Sequence, residues 1–215
     1  MSNSQPHNQS SQYAPFGRRT HVYRAPAAAG VTTGEFVDYF EGIIKTLLEH
    51  EGYWVRQSFK VNLTKQEKRD IGKHSIPRPE VDILAFKPEA NQVIAFEAKS
   101  YLDSPGVKLT ELQESHEIPE GRYKLFTCDN YRNIVFSRMK QDLIDLGMGT
   151  SETEITLGLA AGNVYQSKSE EIRSLFNSRG WSFLSPEDLR EKVTDLAAKG
   201  YENEPSIITT KILMR

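Results

Sequence analysis

Apolar positions recur at helical spacing in TTGEFVDYFEGIIKTLLEHEG, where Phe36, Phe40, Ile43, Ile44 and Leu47 fall on one face. Thr32 or Thr33 stands where a cap is needed and Gly52 where the helix must end. YWVRQSFKVNL follows, with the aromatic and β-branched content of a strand. TKQEKRDIGKHSIPRP is polar, basic and closes on two prolines, so it reads as a loop with a helical turn. RPEVDILAFKPEANQVIAFEAKS then alternates as two short strands joined by a turn. Beyond it, SYLDSPGV is a turn-rich loop, KLTELQESHE a short helix and YKLFT a strand. YRNIVFSRMKQDLIDLG is a second strong helix, with Ile134, Val135, Met139, Leu143 and Leu146 as its apolar side. EITLGLAAGNVY reads as a buried strand, SKSEEIRSLFNSRG as a helix and WSFL as a short strand. PEDLREKVTDLAAKG reads as a surface helix with Pro186 at its first position. The order is helix, three strands, helix, strand, helix, strand, helix, which is an α/β domain.

Composition changes this picture little. Residues 1–30 are rich in Ser, Gln, Asn, Pro and Ala and read as a flexible tail, leaving 31–215 as a single domain. A net charge of −2 excludes a protein basic throughout, but not a local basic face. One cysteine, Cys128, permits neither an internal disulfide nor a cysteine-based zinc site, and is expected as a buried structural thiol. No apolar run approaches the roughly 20 residues that span a bilayer, and MSNSQPHNQSSQ lacks the apolar centre of a secretory signal. The expectation is a cytoplasmic protein without a membrane partner.

The chemistry lies in the hairpin. Alternation puts Val93, Ala95, Glu97 and Lys99 on one face of the second strand, and apolar Ile94, Phe96 and Ala98 on the other. The turn around KPEANQ pairs the start of the first strand with the end of the second, so Asp82 faces Glu97 and Lys99. Two carboxylates and an ammonium beside a core are costly unless they meet a metal, each other or a substrate. Such a carboxylate pair suits Mg²⁺ or Mn²⁺, which keeps several waters and shares its shell with phosphate. A metal-bound water is more acidic, and a neighbouring lysine can orient or deprotonate it. Glu80 shares the face of Asp82, so periodicity does not separate the two; position along the strand favours Asp82.

PEVD, a gap and EAK resemble the PD-(D/E)xK signature of the restriction-endonuclease-like nuclease superfamily. FEGIIKTLLEHEGYWV is similar to a helical segment of its Mrr-like and resolvase-like members. The resemblance implies an αβββαβ core with a mixed central sheet flanked by helices, over 34 to about 165, and a C-terminal α/β extension over about 166–215. It also implies metal-dependent hydrolysis of phosphodiester bonds, in DNA before RNA. Asp82, Glu97 and the Ala98 backbone carbonyl would hold Mg²⁺ or Mn²⁺, and Lys99 would position the attacking water. The family often adds an acid from the first helix. Glu41, at the edge of the apolar face near Val37 and Leu48, takes that place, with Glu35 the alternative. The first half here reads Pro-Glu-Val-Asp rather than a literal Pro-Asp.

A basic stretch precedes the hairpin. Arg56, Lys60, Lys65, Lys68, Arg69, Lys73 and Arg78 stand where they can grip a phosphate backbone beside the site, as can Ser100 and Tyr101 just after it. A solvated loop is the plainer reading of those charges. His74 is expected as a loop contact, Gln113 as a short-helix residue near the site, Arg132 and Arg138 as helix cover, and Trp54 and Trp181 as core aromatics rather than base-stacking platforms. A homodimer would bring two sites to two strands, but no residue marks it. The competing readings are a non-catalytic nucleic-acid-binding or protein-interaction domain on the same fold, and an unrelated α/β protein. In the latter the strand end carries an ordinary ion pair worth ~0–1 kcal/mol.

Overall fold

The computed structural model describes residue 1, residues 38–200 and residues 203–215. The tail, the Thr32 and Thr33 caps, Val37 and Glu35 lie outside the described residues. Helix α1 (Tyr39–His50) opens on Asp38, whose Oδ1 accepts the amides of Phe40 (2.8 Å) and Glu41 (3.3 Å). It ends at Gly52, which takes the left-handed conformation (φ 83°). Strand β1 (Trp54–Lys60) follows, then α2 (Lys65–Asp70), held by a reciprocal Thr64–Glu67 capping box. Strands β2 (Glu80–Lys87) and β3 (Gln92–Lys99) form the expected hairpin, turning at left-handed Asn91. Next come α3 (Leu109–Leu112), α4 (Lys124–Thr127), α5 (Asp129–Asp145), β4 (Glu154–Ala161), α6 (Ser169–Ser178), β5 (Ser182–Leu184), α7 (Pro186–Ala198) and α8 (Pro205–Leu213).

The fold is mixed α/β. Five strands form one sheet in the order β1-β2-β3-β4-β5, with β1–β2–β3 antiparallel and β3–β4–β5 parallel. Helices cover both faces. Ile44, Leu47 and Leu48 of α1 pack with Ile83, Ile94 and Phe96 on one side, joined by Leu189 and Leu196 of α7 and Ile207 of α8. On the other side Tyr131, Val135, Met139 and Leu143 of α5 pack with Leu84, Val93 and Leu157. Gly158 admits this packing: a Cβ there would meet the Phe96 ring at 2.4 Å.

Several expectations need correction. YKLFT is the helical turn α4, not a strand. An apolar run this short has no period to separate the two states, and Thr127 N and Cys128 N bond back to the carbonyls of Tyr123 and Lys124. Leu146 is exposed beyond the end of α5, whose buried face instead carries Tyr131 and Asp142. Asp142 accepts the Asn62 amide at 2.8 Å and so ties the loop after β1 to the helix. Trp54 is no core aromatic: it is 72% exposed. Trp181 is half-buried among Phe126, Phe176, Arg132 and Arg179, and Cys128 is buried as expected. Among the described residues no helix is long and apolar enough to cross a membrane.

Candidate active site

The antiparallel ladder between β2 and β3 runs from Lys87↔Gln92 to Ile83↔Phe96. Its next step sets Asp82 across from Glu97. There Asp82 Oδ2 accepts the Ala98 amide at 2.8 Å and lies 3.4 Å from Lys99 Nζ, which is 3.0 Å from Glu97 Oε2. One ammonium therefore bridges two carboxylates, and all three side chains are no more than 22% exposed. Glu80 has a different environment, exposed and 3.8 Å from Lys60, so the structure separates the two acids that periodicity left together.

Two backbone features build this strand end. Ser58 sits between the pairs Gln57↔Ile83 and Phe59↔Val81, directly across from Asp82, and has φ 51°. Positive φ is uncommon for serine. Alternation slips here: Val81 and Phe59 pack in one cluster while Ile83 packs in the other. Gly162 follows β4 and donates to the Lys99 carbonyl at 2.9 Å; a Cβ on it would meet the Ser100 oxygen at 2.2 Å. Only glycine allows so close an approach beside Lys99.

Electrostatics mark the same place. Burial pushes the Glu97 carboxyl above its usual range and Asp82 adds to this, while Lys99 opposes it. Burial alone would lower Lys99, but the adjoining Glu97 and Asp82 outweigh it and hold the ammonium above its ordinary value. Glu41 is pushed up to about 7, first by burial and then by the charge of Asp82, with Gln57 opposing. Glu41 thus brings a third carboxyl within electrostatic reach from α1. Sequence reasoning missed Tyr131 and Lys124. Tyr131 is raised by burial and by Glu97, and Lys124 Nζ lies 5.7 Å over the Tyr131 ring and draws Glu97 down.

The basic residues scatter. Lys60 pairs with Glu80, and Lys73 Nζ donates to the Pro119 carbonyl at 2.5 Å. Lys65, Lys68 and Arg69 lie on α2, and Arg78 is exposed just before β2. Arg138 pairs with Glu67 and fastens α2 to α5; Arg132 donates to Asp129 and to the Leu125 carbonyl. Ser100 follows the end of β3, and Tyr101, at φ 44°, accepts from Arg122 through its hydroxyl at 3.3 Å. Gln113 caps the end of α3 in solvent, and His74 is exposed. Ala98 lies in the ladder opposite Ala160 of β4. Among the described residues, no three His, Cys, Asp or Glu side chains converge into a ready metal cage.

No protein-family model matches the chain, and no curated protein does. Among solved structures, the crystal structure of a protein of unknown function, AF1548, matches over 80% of this chain, at 14% identity and a TM-score of 0.33. The match covers 66% of that protein's chain, and a likeness of this size carries no argument about function.

Proposed function

We propose that this protein is a PD-(D/E)xK-type nuclease that hydrolyses phosphodiester bonds with Mg²⁺ or Mn²⁺, acting on DNA first. The observation that carries the reading is the meeting of Asp82, Glu97 and Lys99 at one strand end, with Lys99 Nζ 3.4 Å and 3.0 Å from the two carboxylates. The element order α1-β1-β2-β3, then α5-β4, agrees with the family's αβββαβ core.

The donor set suits a hard divalent ion. Mg²⁺ asks for one or two protein carboxylates and keeps waters for the rest, so the absence of a third converged acid is no obstacle. Lys99 already supplies a positive charge at the point where the two acids would hold the ion. The ion, when bound, supplies Lewis acidity toward phosphate and a more acidic water. The chain's own groups do the remaining work. Asp82 and Glu97 fix the position, and the Ala98 amide locks Asp82 in orientation. Lys99, released from the carboxylates, donates to the attacking water or to the charge developing on phosphate. Glu41, its carboxyl pushed up by burial and by Asp82, adds a third acid from α1 beside the pair. Lys65, Lys68, Arg69 and Arg78 supply charge for the strand backbone.

A cleavage assay tests this. Single- and double-stranded DNA and RNA are offered with Mg²⁺, Mn²⁺ or EDTA, to wild type, Asp82→Ala and Lys99→Ala, each checked for folding. Metal-dependent cutting lost in both folded variants is expected. Binding without cutting by wild type under every condition would leave a non-catalytic nucleic-acid-binding domain. Neither would end the nucleic-acid reading.

A further inference from the structure

The face that carries Glu97 and Lys99 at one end has a pocket at the other. It encloses about 320 Å³ beside the start of β1 and the β2–β3 turn. We propose that this pocket holds one unpaired nucleotide of a DNA strand, its base against Trp54 and its phosphate on Arg56. The inference rests on the nucleic-acid reading above and extends it to a second contact point.

Three observations carry it. The floor is apolar, formed by Leu84, Phe86, Val93 and Leu143. Trp54 stands over that floor with its ring edge-on to Phe86, centroids 6.2 Å apart at 66°, and most of the indole in solvent. A large exposed aromatic at the rim of a pocket is informative in a way that scattered surface leucines are not. Among the described residues Arg56 is the one charged residue lining the pocket. Its guanidinium rests over Phe59 at 5.2 Å and against the Met148 sulfur at 3.5 Å, and no carboxylate among the described residues pairs with it.

A flat ring beside one unneutralised cation selects a flat ligand with an anionic group. The volume lies at the small end of ligand pockets, so it fits one ring system rather than an extended molecule. Thr150 at the wall adds a hydroxyl, whose oxygen accepts from Asn91 Nδ2 at 3.4 Å and from the Glu152 amide at 3.2 Å and whose hydrogen is left for the edge of that ring. Inside a duplex both faces of a base are covered by stacking, so an unpaired base is the better partner for Trp54. The placement also suits a strand. Among the described residues β1 is the sheet edge, and its Trp54 and Arg56 both line the pocket. Phe86 lies four residues along β2 from Asp82, about 13 Å, a span of a few nucleotides.

The experiment is fluorescence anisotropy in EDTA, with a labelled fifteen-residue oligothymidine and a labelled blunt duplex, over a series of salt concentrations. Trp54→Ala is expected to weaken oligothymidine binding about tenfold or more, with Trp54→Phe within about threefold of wild type. Arg56→Gln is expected to lower the salt slope of oligothymidine binding by about one unit. Duplex affinity should change little in any of them. If wild type binds oligothymidine and Trp54→Ala binds it equally well, the pocket inference is overturned while the nuclease reading stands. If wild type binds neither probe, the pocket inference is overturned, and the cleavage assay tests the nuclease reading separately.

Discussion

Lys99→Met asks what holds the two carboxylates together. The ammonium lies 3.0 Å from Glu97 and 3.4 Å from Asp82. At the dielectric of water these contacts amount to about 1.4 and 1.2 kcal/mol, and at an effective value of 20 to about 5.5 and 4.9. The side chains are 14 to 22% exposed, so neither limit applies, and desolvation takes back several kcal/mol per ion. Methionine recovers some packing but leaves two acids facing one another. The net loss should be about 2–3 kcal/mol, or roughly 4–12 °C in Tm for a domain of this size. The loss should depend on pH. Glu97 already sits above its usual range through burial, and removing Lys99 raises it further. A carboxyl with a raised folded pKa binds more protons folded than unfolded, so stability falls as pH rises through that range. The gap between variant and wild type should therefore be widest near pH 8 and shrink toward pH 4.5. Urea denaturation at both pH values, monitored by circular dichroism, measures it. Equal stability at pH 8, or a deficit unchanged on acidification, would refute the reasoning.

Two further outcomes follow from the same strand end. Glu41→Gln should stabilise the protein at pH 8 by on the order of 1–2 kcal/mol after solvent screening, and by almost nothing at pH 4. Wild-type Glu41, pushed up to about 7, loses stability as pH rises from the ordinary carboxylate range through 7, which denaturation at a series of pH values reads directly. Gly162→Ala should cost about 2–3 kcal/mol because its Cβ would meet the Ser100 carbonyl oxygen at 2.2 Å. It should also reduce any cleavage by more than lost stability explains, since the displaced carbonyl lies next to Lys99; cleavage and thermal melting measured together check this.

What could be read beforehand divides along physical lines. The hairpin was legible because period-two alternation and a short turn fix both face and register, and these brought Asp82 to Glu97 and Lys99 without any knowledge of tertiary structure. The helices α1 and α5 were legible from their apolar stripes. Trp54 was misread because an edge-strand tryptophan and a core one look alike in sequence, and only the sheet order places β1 at an edge among the described residues. Lys124 and Tyr131 were missed because they reach Glu97 only once α4 and α5 dock. The left-handed Ser58 had no signal at all, since serine there reads as ordinary strand. Helix α8 did have signals, Glu204 as cap and Pro205 at the first position, masked by the β-branched residues of IITTKI.

The position of the charged groups follows from the sheet itself. Ile83, Ala85, Ala95 and Phe96 are buried under the helices on the two faces of the sheet and leave no room for an unpaired charge. Polar chemistry is confined to where strands leave the ladder. At the Asp82 end the slip at Ser58 opens the pairing and Gly162 lets β4 turn away, so three ionised groups keep access to solvent. At the other end the β2–β3 turn and the short loop after α5 frame a pocket with an apolar floor. α5 runs along this face from Tyr131 beside Glu97 to Leu143 in the pocket, a span of about 18 Å. The two ends are thus held at a fixed separation by one helix. A change in α5 that keeps its buried face should leave that separation unaltered, and with it the spacing between the proposed cut site and the proposed base pocket.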